Sequence, residues 1–149
     1  VLKWVYNKFK NDGLHFKEIF CIMPCAPLLD SQDLIKAHRI FKSFECKNPL
    51  LVATKFNVPI EWAFYQNNDL TLVPVNKKSL IIRSQDIRQA YYECGPFNIF
   101  SYKHLENQNL FKKSNYVPYL TGKNYAVDID DPEDLEYAKV LFVGNKNKI

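Results

Sequence analysis

The chain has 149 residues, of which 47% are hydrophobic, so it is long enough to bury a core and fits a single domain over residues 1–149. Its formal net charge of +4 comes from scattered lysines, which is typical of a solvated surface or of an anionic small substrate. No apolar run reaches the roughly 20 residues of a membrane helix. We therefore expect a cytoplasmic protein with neither a nucleic-acid nor a membrane partner.

The first elements in chain order predict part of a parallel α/β sheet. Apolar residues at helical spacing begin at Val1 with no capping residue ahead of them, and we therefore expect a segment upstream. A strand follows at 17–23, and Asp30-Ser31-Gln32-Asp33 starts a capped helix. Its apolar face includes His38, which we interpret as a packed core histidine. Loops at the carboxyl ends of such strands bind ligands, so the proline loop, residues 24–29, is either a binding loop or a rigid turn. His15 and His104 stand alone in polar loops and carry no catalytic signature.

The four cysteines are predicted to be reduced thiols. They form no pair of C-x-x-C motifs, and most have apolar neighbours, which argues against both a disulfide framework and a zinc site. Their positions are Cys21, Cys25, Cys46 and Cys94.

The middle of the chain predicts a strand at 49–56 and then a hairpin. Residues 59–65 and 70–75 read as its two strands, joined at the turn signal Asn67-Asn68-Asp69. Trp62 and Leu72 give this ribbon, residues 59–75, an apolar surface. The surface covers the core or contacts a partner, and the pattern does not decide between the two.

Residues 83–86 and 90–100 combine polar side chains with an aromatic strand. The Arg83 guanidinium suits a carboxylate or a phosphate, and Gln85 both donates and accepts hydrogen bonds. Gly95 permits backbone geometry, or a close approach of a ligand, that other residues resist. A plain turn before a strand is the alternative.

The acidic run at residues 128–134 is the most informative pattern. It predicts a strand that ends on Asp128 and Asp130 before a helix begins. Both side chains would then share one face, with Cα atoms roughly 6.5–7 Å apart. Two such carboxylates suit Mg²⁺, which often shares its oxygen ligands with substrate phosphates. The alternative is capping and turn chemistry, which already explains Asp131, Pro132 and the acids that follow.

Taken in order, these motifs resemble the acylneuraminate cytidylyltransferase family, and most closely its pseudaminic acid branch. The motifs are Pro24-Cys25-Ala26-Pro27, the ribbon, Arg83-Ser84-Gln85-Asp86, Tyr91-Tyr92-Glu93-Cys94-Gly95-Pro96-Phe97 and Asp128-Ile129-Asp130-Asp131-Pro132-Glu133-Asp134. The similarity runs from about Val1 to Phe142. It implies a nucleotide-diphospho-sugar transferase-like α/β fold, a mostly parallel sheet with flanking helices and an inserted β dimerisation arm at about 56–86.

The family transfers CMP from CTP to a nine-carbon acidic sugar of the pseudaminic or sialic type, for cell-surface glycans, and releases pyrophosphate. The resemblance implies that Asp128 and Asp130 are the catalytic Mg²⁺ ligands and that the chain forms a homodimer through its arm. The implied substrate-binding residues are Pro24, Cys25, Ala26, Pro27, Arg83, Gln85, Tyr91, Glu93, Gly95 and Phe97.

The chain also departs from the family pattern. Cys25 replaces the usual threonine and so loses a hydroxyl donor, and Glu93 to Asn98 replaces Asp-Ala-Gly-Gln-Phe-Tyr. The glycine-rich and basic opening segment that binds CTP has no counterpart, which implies that the chain is the C-terminal part of a cytidylyltransferase domain and is inactive in isolation. Two alternatives stay open: a non-catalytic nucleotidyltransferase-like module for binding or assembly, and an unrelated α/β phosphoryl-transfer or sugar-binding domain.

Overall fold

The computed structural model describes residues 1–107 and 115–146 and divides them into two compact units. The first unit comprises Val1–Ala53 and the part of the chain from Glu93 onward, and the second is Thr54–Tyr92. The predicted arm at about 56–86 falls within the second unit. None of the helices in the described residues is long and apolar enough to cross a membrane.

A four-stranded sheet with helices beside it forms the centre of the fold, which confirms the α/β class. Its strands are β1 (Glu18–Ile22), β2 (Leu50–Lys55), β5 (Tyr91–Ser101) and β6 (Val117–Leu120), in the order β1-β5-β2-β6. Strands β1 and β5 pair antiparallel, whereas β2 and β6 pair parallel. The helices are α1 (Leu2–Asn11), α2 (Ser31–Ser43), α3 (Tyr102–Glu106) and α4 (Pro132–Lys146).

The main core lies between α2 and the sheet. Strand β2 is an inner strand of the sheet and is buried along most of its length, as expected for a run of apolar residues. Helix α2 contributes Ala37 and Phe41, which are both fully buried. The remaining buried members of this cluster are Leu50, Val52, Cys94, Phe97, Ile99 and Val117. A second cluster joins Tyr6 of α1 to Phe100 and Leu105.

The second unit contains the predicted hairpin in a shorter form. Strands β3 (Phe64–Gln66) and β4 (Leu72–Pro74) pair antiparallel around the turn at residues 67–71, so the hairpin prediction is confirmed. The prediction of a strand over 59–65 is wrong in its first half, because Ile60–Trp62 forms a 3₁₀ turn. The Trp62 indole donates to the Ser79 carbonyl over 2.9 Å, which anchors this turn within its own unit.

The predicted strand before the two carboxylates is absent. Lys123–Tyr125 forms a 3₁₀ turn, and residues 126–130 pair with no strand in the part of the chain that the structure describes. The Ile129 amide instead donates to the Cys25 carbonyl over 3.2 Å. This contact with a loop satisfies a backbone group that a sheet partner would otherwise have satisfied.

Two histidines differ from their predicted roles. His38 is not a packed core residue, because its side chain is 41% exposed and contacts Glu18. His104 is only 1% exposed, although the sequence places it among polar residues. Its Nδ1 accepts the Ser101 amide over 3.1 Å, so Nε2 carries the proton that is donated to the Lys47 carbonyl over 3.0 Å.

Candidate active site

The proline loop, residues 24–29, is held from both of its sides. On one side the Met23 amide donates to the Pro96 carbonyl of β5 over 3.0 Å. On the other side the Ile129 amide donates to the Cys25 carbonyl. Asp30 then caps α2 by accepting the Gln32 amide over 2.7 Å, as the sequence predicts. The structure therefore brings together the proline loop, β5 and the acidic run, which sequence spacing alone does not connect.

Asp128 and Asp130 expose their carboxylates at this junction. Neither forms an ion pair with any residue in the described part of the chain. Asp131 and Asp134, in contrast, form a reciprocal cap at the start of α4: Asp134 N donates to Asp131 Oδ1 over 2.9 Å, and Asp131 N donates to Asp134 Oδ2 over 3.2 Å. The capping interpretation is thus confirmed for Asp131, while the side chains of Asp128 and Asp130 play no part in this cap.

Cys25 lies next to the first carboxylate. Interaction with the Asp128 carboxylate, together with partial desolvation, raises the pKa of the Cys25 thiol above its usual value. The sequence predicted that replacing threonine by cysteine removes a donor. That loss stays a prediction, although the thiol lies beside the Asp128 carboxylate.

Gly95 interrupts the alternation of β5. Its φ of +77° lies in the left-handed region. At this point the regular alternation of side chains between the two faces of the strand is broken. Cys94 before the glycine and Phe97 after it both point into the core next to α2, although three positions separate them. A regular strand would place two such residues on opposite faces, so Gly95 forms a bulge.

The bulge turns two polar residues of β5 toward the other face of the sheet. Asn98 Nδ2 donates to Glu93 Oε1 over 3.2 Å, so the two positions at the ends of the altered family motif contact each other. Both line a cavity of about 340 Å³. The rest of its described lining is mostly apolar and comprises Leu2, Cys21, Met23, Pro49, Leu50, Leu51, Phe100 and Tyr116.

The remaining predicted substrate-binding residues divide into two groups. Pro24 and Pro27 are exposed and Ala26 is half-buried, whereas Phe97 is only 1% exposed and packs in the core. In the second unit, Arg83 Nε donates to Asp86 Oδ2 over 2.9 Å within a short turn that also contains Gln85. Tyr91, also in the second unit, is about half exposed.

The carboxylate pair fits Mg²⁺ by its chemistry. In the described residues, no three His, Cys, Asp or Glu side chains are grouped so that they could hold a metal ion by themselves. Mg²⁺ does not require such a cage, because it binds through one or two carboxylates and takes its other oxygens from substrate phosphates and water. Asp128 and Asp130, which form no ion pair within the described residues, have the chemistry to supply that share of the ligands.

Sequence reasoning missed two residues at this site. Asn98 was noted only as a departure from the family motif, and its contact with Glu93 depends on the bulge at Gly95. Asp134 was assigned to the helix dipole alone, yet it also accepts the Asp130 amide over 3.0 Å. The detectable signal was the spacing Asp131-x-x-Asp134, which is that of a capping box.

The described residues form an α/β fold with flanking helices, and two exposed aspartates lie beside its proline loop. No protein-family profile matches the chain. The chain is 34% identical over 131 residues, 87% of its length, to the pseudaminic acid cytidylyltransferases of two Campylobacter jejuni strains, 81-176 and NCTC 11168. These matches confirm its resemblance to the acylneuraminate cytidylyltransferase family and to the pseudaminic acid branch. The chain spans 56% of the length of each of these relatives.

Proposed function

We propose that the full-length protein transfers CMP from CTP to the anomeric hydroxyl of a nine-carbon acidic sugar of the pseudaminic acid type. The products are the CMP-sugar and pyrophosphate. The observation that carries the proposal is the similarity to pseudaminic acid cytidylyltransferases over 87% of the chain. The exposed carboxylate pair beside the proline loop supports it, because transfer of a nucleotidyl group requires the phosphate charge to be neutralised.

In this proposal Asp128 and Asp130 hold Mg²⁺. When bound, the ion supplies positive charge for the triphosphate and helps to align it for attack at the α-phosphate. The proline loop forms one wall beside the carboxylates, since its Cys25 carbonyl is bonded to the amide of Ile129 between them. This bond keeps the loop and the two aspartates in one fixed arrangement, which favours the in-line geometry that the reaction needs.

In the same proposal, Arg83, Gln85 and Tyr91 of the second unit contact the sugar. Arg83 Nε donates to Asp86 Oδ2. The two terminal nitrogens of the Arg83 guanidinium are proposed to make a bidentate contact with the sugar carboxylate. Phe97 does not touch the substrate but supports β5 from the core. Glu93 and Asn98, which contact each other within the first unit, differ from the family motif and are proposed to affect which sugar is accepted.

We further propose that the protein is a cytoplasmic homodimer. Support for the dimer comes from the ribbon, residues 59–75, whose apolar side chains are strongly exposed: Phe64 is 46% exposed, Tyr65 70% and Leu72 60%. Exposed apolar surface of this density is typical of a partner contact.

The test is a CMP-transfer assay on the full-length protein with CTP, pseudaminic acid and Mg²⁺. Asp128→Asn and Asp130→Asn should each lower turnover by at least a hundredfold while the thermal unfolding temperature stays within a few degrees. Asp131→Ala is the matched control, because it removes a helix cap at a cost of about 1 kcal/mol in stability and leaves the carboxylate pair intact. Absence of transfer by the wild type would reject the function, and undiminished turnover by Asp130→Asn would reject its metal site.

A further inference from the structure

Asp128 is approached closely by a residue that has no side chain. A Cβ atom built at Gly95 would lie 3.2 Å from Asp128 Oδ2 and 3.8 Å from its Cγ. Contacts of 3.2 Å are tighter than Cβ atoms normally make, so any larger residue at this position would force the carboxylate to shift. The left-handed φ of +77° at Gly95 is what carries the backbone of β5 this near to the acidic run.

Cys25 contacts the same carboxylate. The Cys25 carbonyl accepts the amide of Ile129, the residue after Asp128, over 3.2 Å, and the Cys25 thiol lies beside the Asp128 carboxylate. One loop residue thus holds the backbone after Asp128 and also neighbours its side chain. The backbone of Asp130 is fixed separately, because its amide donates to Asp134 Oδ2 of α4 over 3.0 Å.

We infer that Gly95 and Cys25 are positioning residues that hold the Asp128 carboxylate in the orientation in which it binds a divalent cation. The inference rests on the proposed function, since it assigns to these two residues an effect on the affinity for the ion. An exposed aspartate samples several rotamers, and restricting them before the ion arrives reduces the entropy lost on binding. Gly95 limits the rotamers of Asp128 because its backbone approaches the carboxylate closely, and Cys25 limits them because its thiol lies beside the carboxylate and its carbonyl holds the following amide.

The chain contains a matched control for Gly95. Gly13 has a similar left-handed φ of +82°, but a Cβ atom there would meet no atom within 4 Å. Alanine at either position introduces the same kind of backbone strain. Only at position 95 does the added Cβ atom also contact the Asp128 carboxylate. A comparison of Gly95→Ala with Gly13→Ala therefore separates the effect on the ion from the effect on the fold.

The experiment measures Mn²⁺ binding to the full-length protein by electron paramagnetic resonance, without substrate and well below the unfolding temperature. We expect Gly95→Ala to weaken Mn²⁺ binding about tenfold and Gly13→Ala to leave it unchanged, while both lower the unfolding temperature by a few degrees. Cys25→Ala should weaken binding several-fold, and Cys25→Ser, which keeps a donor, should restore most of it.

The outcomes separate this inference from the proposed function. Absence of Mn²⁺ binding by the wild type would overturn both the metal site and the positioning roles. If the wild type binds and Gly95→Ala and Cys25→Ala bind equally well, the positioning roles are overturned while the metal site stands. Should Gly95→Ala fail to fold, the pair Cys25→Ala and Cys25→Ser decides the question alone, because equal affinity in those two variants contradicts the inference.

Discussion

The Tyr119 hydroxyl donates a hydrogen bond of 2.6 Å to Asp33 Oδ1. This bond ties β6 to the first turn of α2, the helix that follows the proline loop. Asp33 Oδ2 also accepts the Asp30 amide over 3.3 Å, as the second half of the helix cap. A single carboxylate therefore joins the sheet to the start of the helix and limits the movement of the loop before it.

Tyr119→Phe tests this connection. Removing the hydroxyl leaves one oxygen of Asp33 without its donor in a half-buried setting, and the free energy of unfolding should fall by about 1–2 kcal/mol. Urea unfolding at neutral pH measures the change. Tyr137→Phe on α4 is the control, because Tyr137 is 55% exposed and its hydroxyl should contribute little. Equal stability of Tyr119→Phe and the wild type would show that the bond does not stabilise the fold.

The ion pairs of Glu18 lead us to expect that the protein loses stability in acid. The Glu18 carboxylate contacts His38 and accepts the Lys42 ammonium over 2.8 Å, and these partners lower the pKa of Glu18 below its usual value, Lys42 having the larger effect. The folded state therefore holds the ionised form more tightly than the unfolded chain does. Stability from this group is present above the unfolded pKa, about 4.3, and is lost as the pH falls through the lower folded pKa.

The measurement compares Glu18→Gln with the wild type by denaturant unfolding at pH 7 and pH 3. We expect the variant to be about 1 kcal/mol less stable at pH 7, and the difference to shrink at pH 3. Glu45→Gln is the control, since Glu45 pairs with Lys47 in an ion pair that is about 70% exposed on both sides and should have no measurable effect. A difference that stayed constant with pH would assign the effect to packing instead of charge.

The sequence predicted the elements whose patterns are local. The apolar run of β2 and the Asp30 cap of α2 have the predicted positions because burial and capping depend on neighbouring residues. The α/β fold class was also predictable from this succession of a strand, a loop and a capped helix. The resemblance to a known family drew on the order of the motifs, which a single pattern does not provide.

The remaining features depend on contacts between distant segments. A short apolar stretch before Asp128 predicted a strand, but no neighbouring strand lies beside it, and its amide at Ile129 bonds to the proline loop instead. The burial of His104 depends on a carbonyl at Lys47, 57 positions away. The close approach of Gly95 to Asp128 likewise requires three-dimensional placement that residue types alone do not specify.

Arg83→Lys tests the sugar side of the proposed function. Lysine keeps the positive charge but cannot make a bidentate contact, so kcat/KM for the acidic sugar should fall at least tenfold while the KM for CTP changes less than threefold. Steady-state kinetics with each substrate varied in turn provide both values. Asp86→Asn is a useful companion, because it weakens the 2.9 Å contact that holds Arg83 Nε and should cause a smaller loss of the same kind. Equal losses for both substrates would move Arg83 to a structural or phosphate-binding role.

The final prediction concerns assembly through the ribbon, residues 59–75. Trp62 is a poor probe of the interface, because its indole is bonded to the Ser79 carbonyl and its truncation would also damage the ribbon's own unit. Leu72 is a better probe, since it is 60% exposed and sits in β4. Leu72→Asp places a charge on the proposed contact, and burying an unpaired charge is strongly unfavourable.

We expect the wild-type full-length protein to be a dimer at tens of micromolar and Leu72→Asp to be mainly monomeric, as measured by light scattering coupled to size exclusion. Val140→Asp is the control: this α4 residue is also strongly exposed, at 68%, but lies outside the ribbon, so the substitution should leave the dimer intact. Because β4 is a short exposed strand, the charge should cost little in the isolated unit, and circular dichroism should show unchanged folding. A monomeric wild type, or a Leu72→Asp variant that stays dimeric, would show that the ribbon does not form the subunit contact.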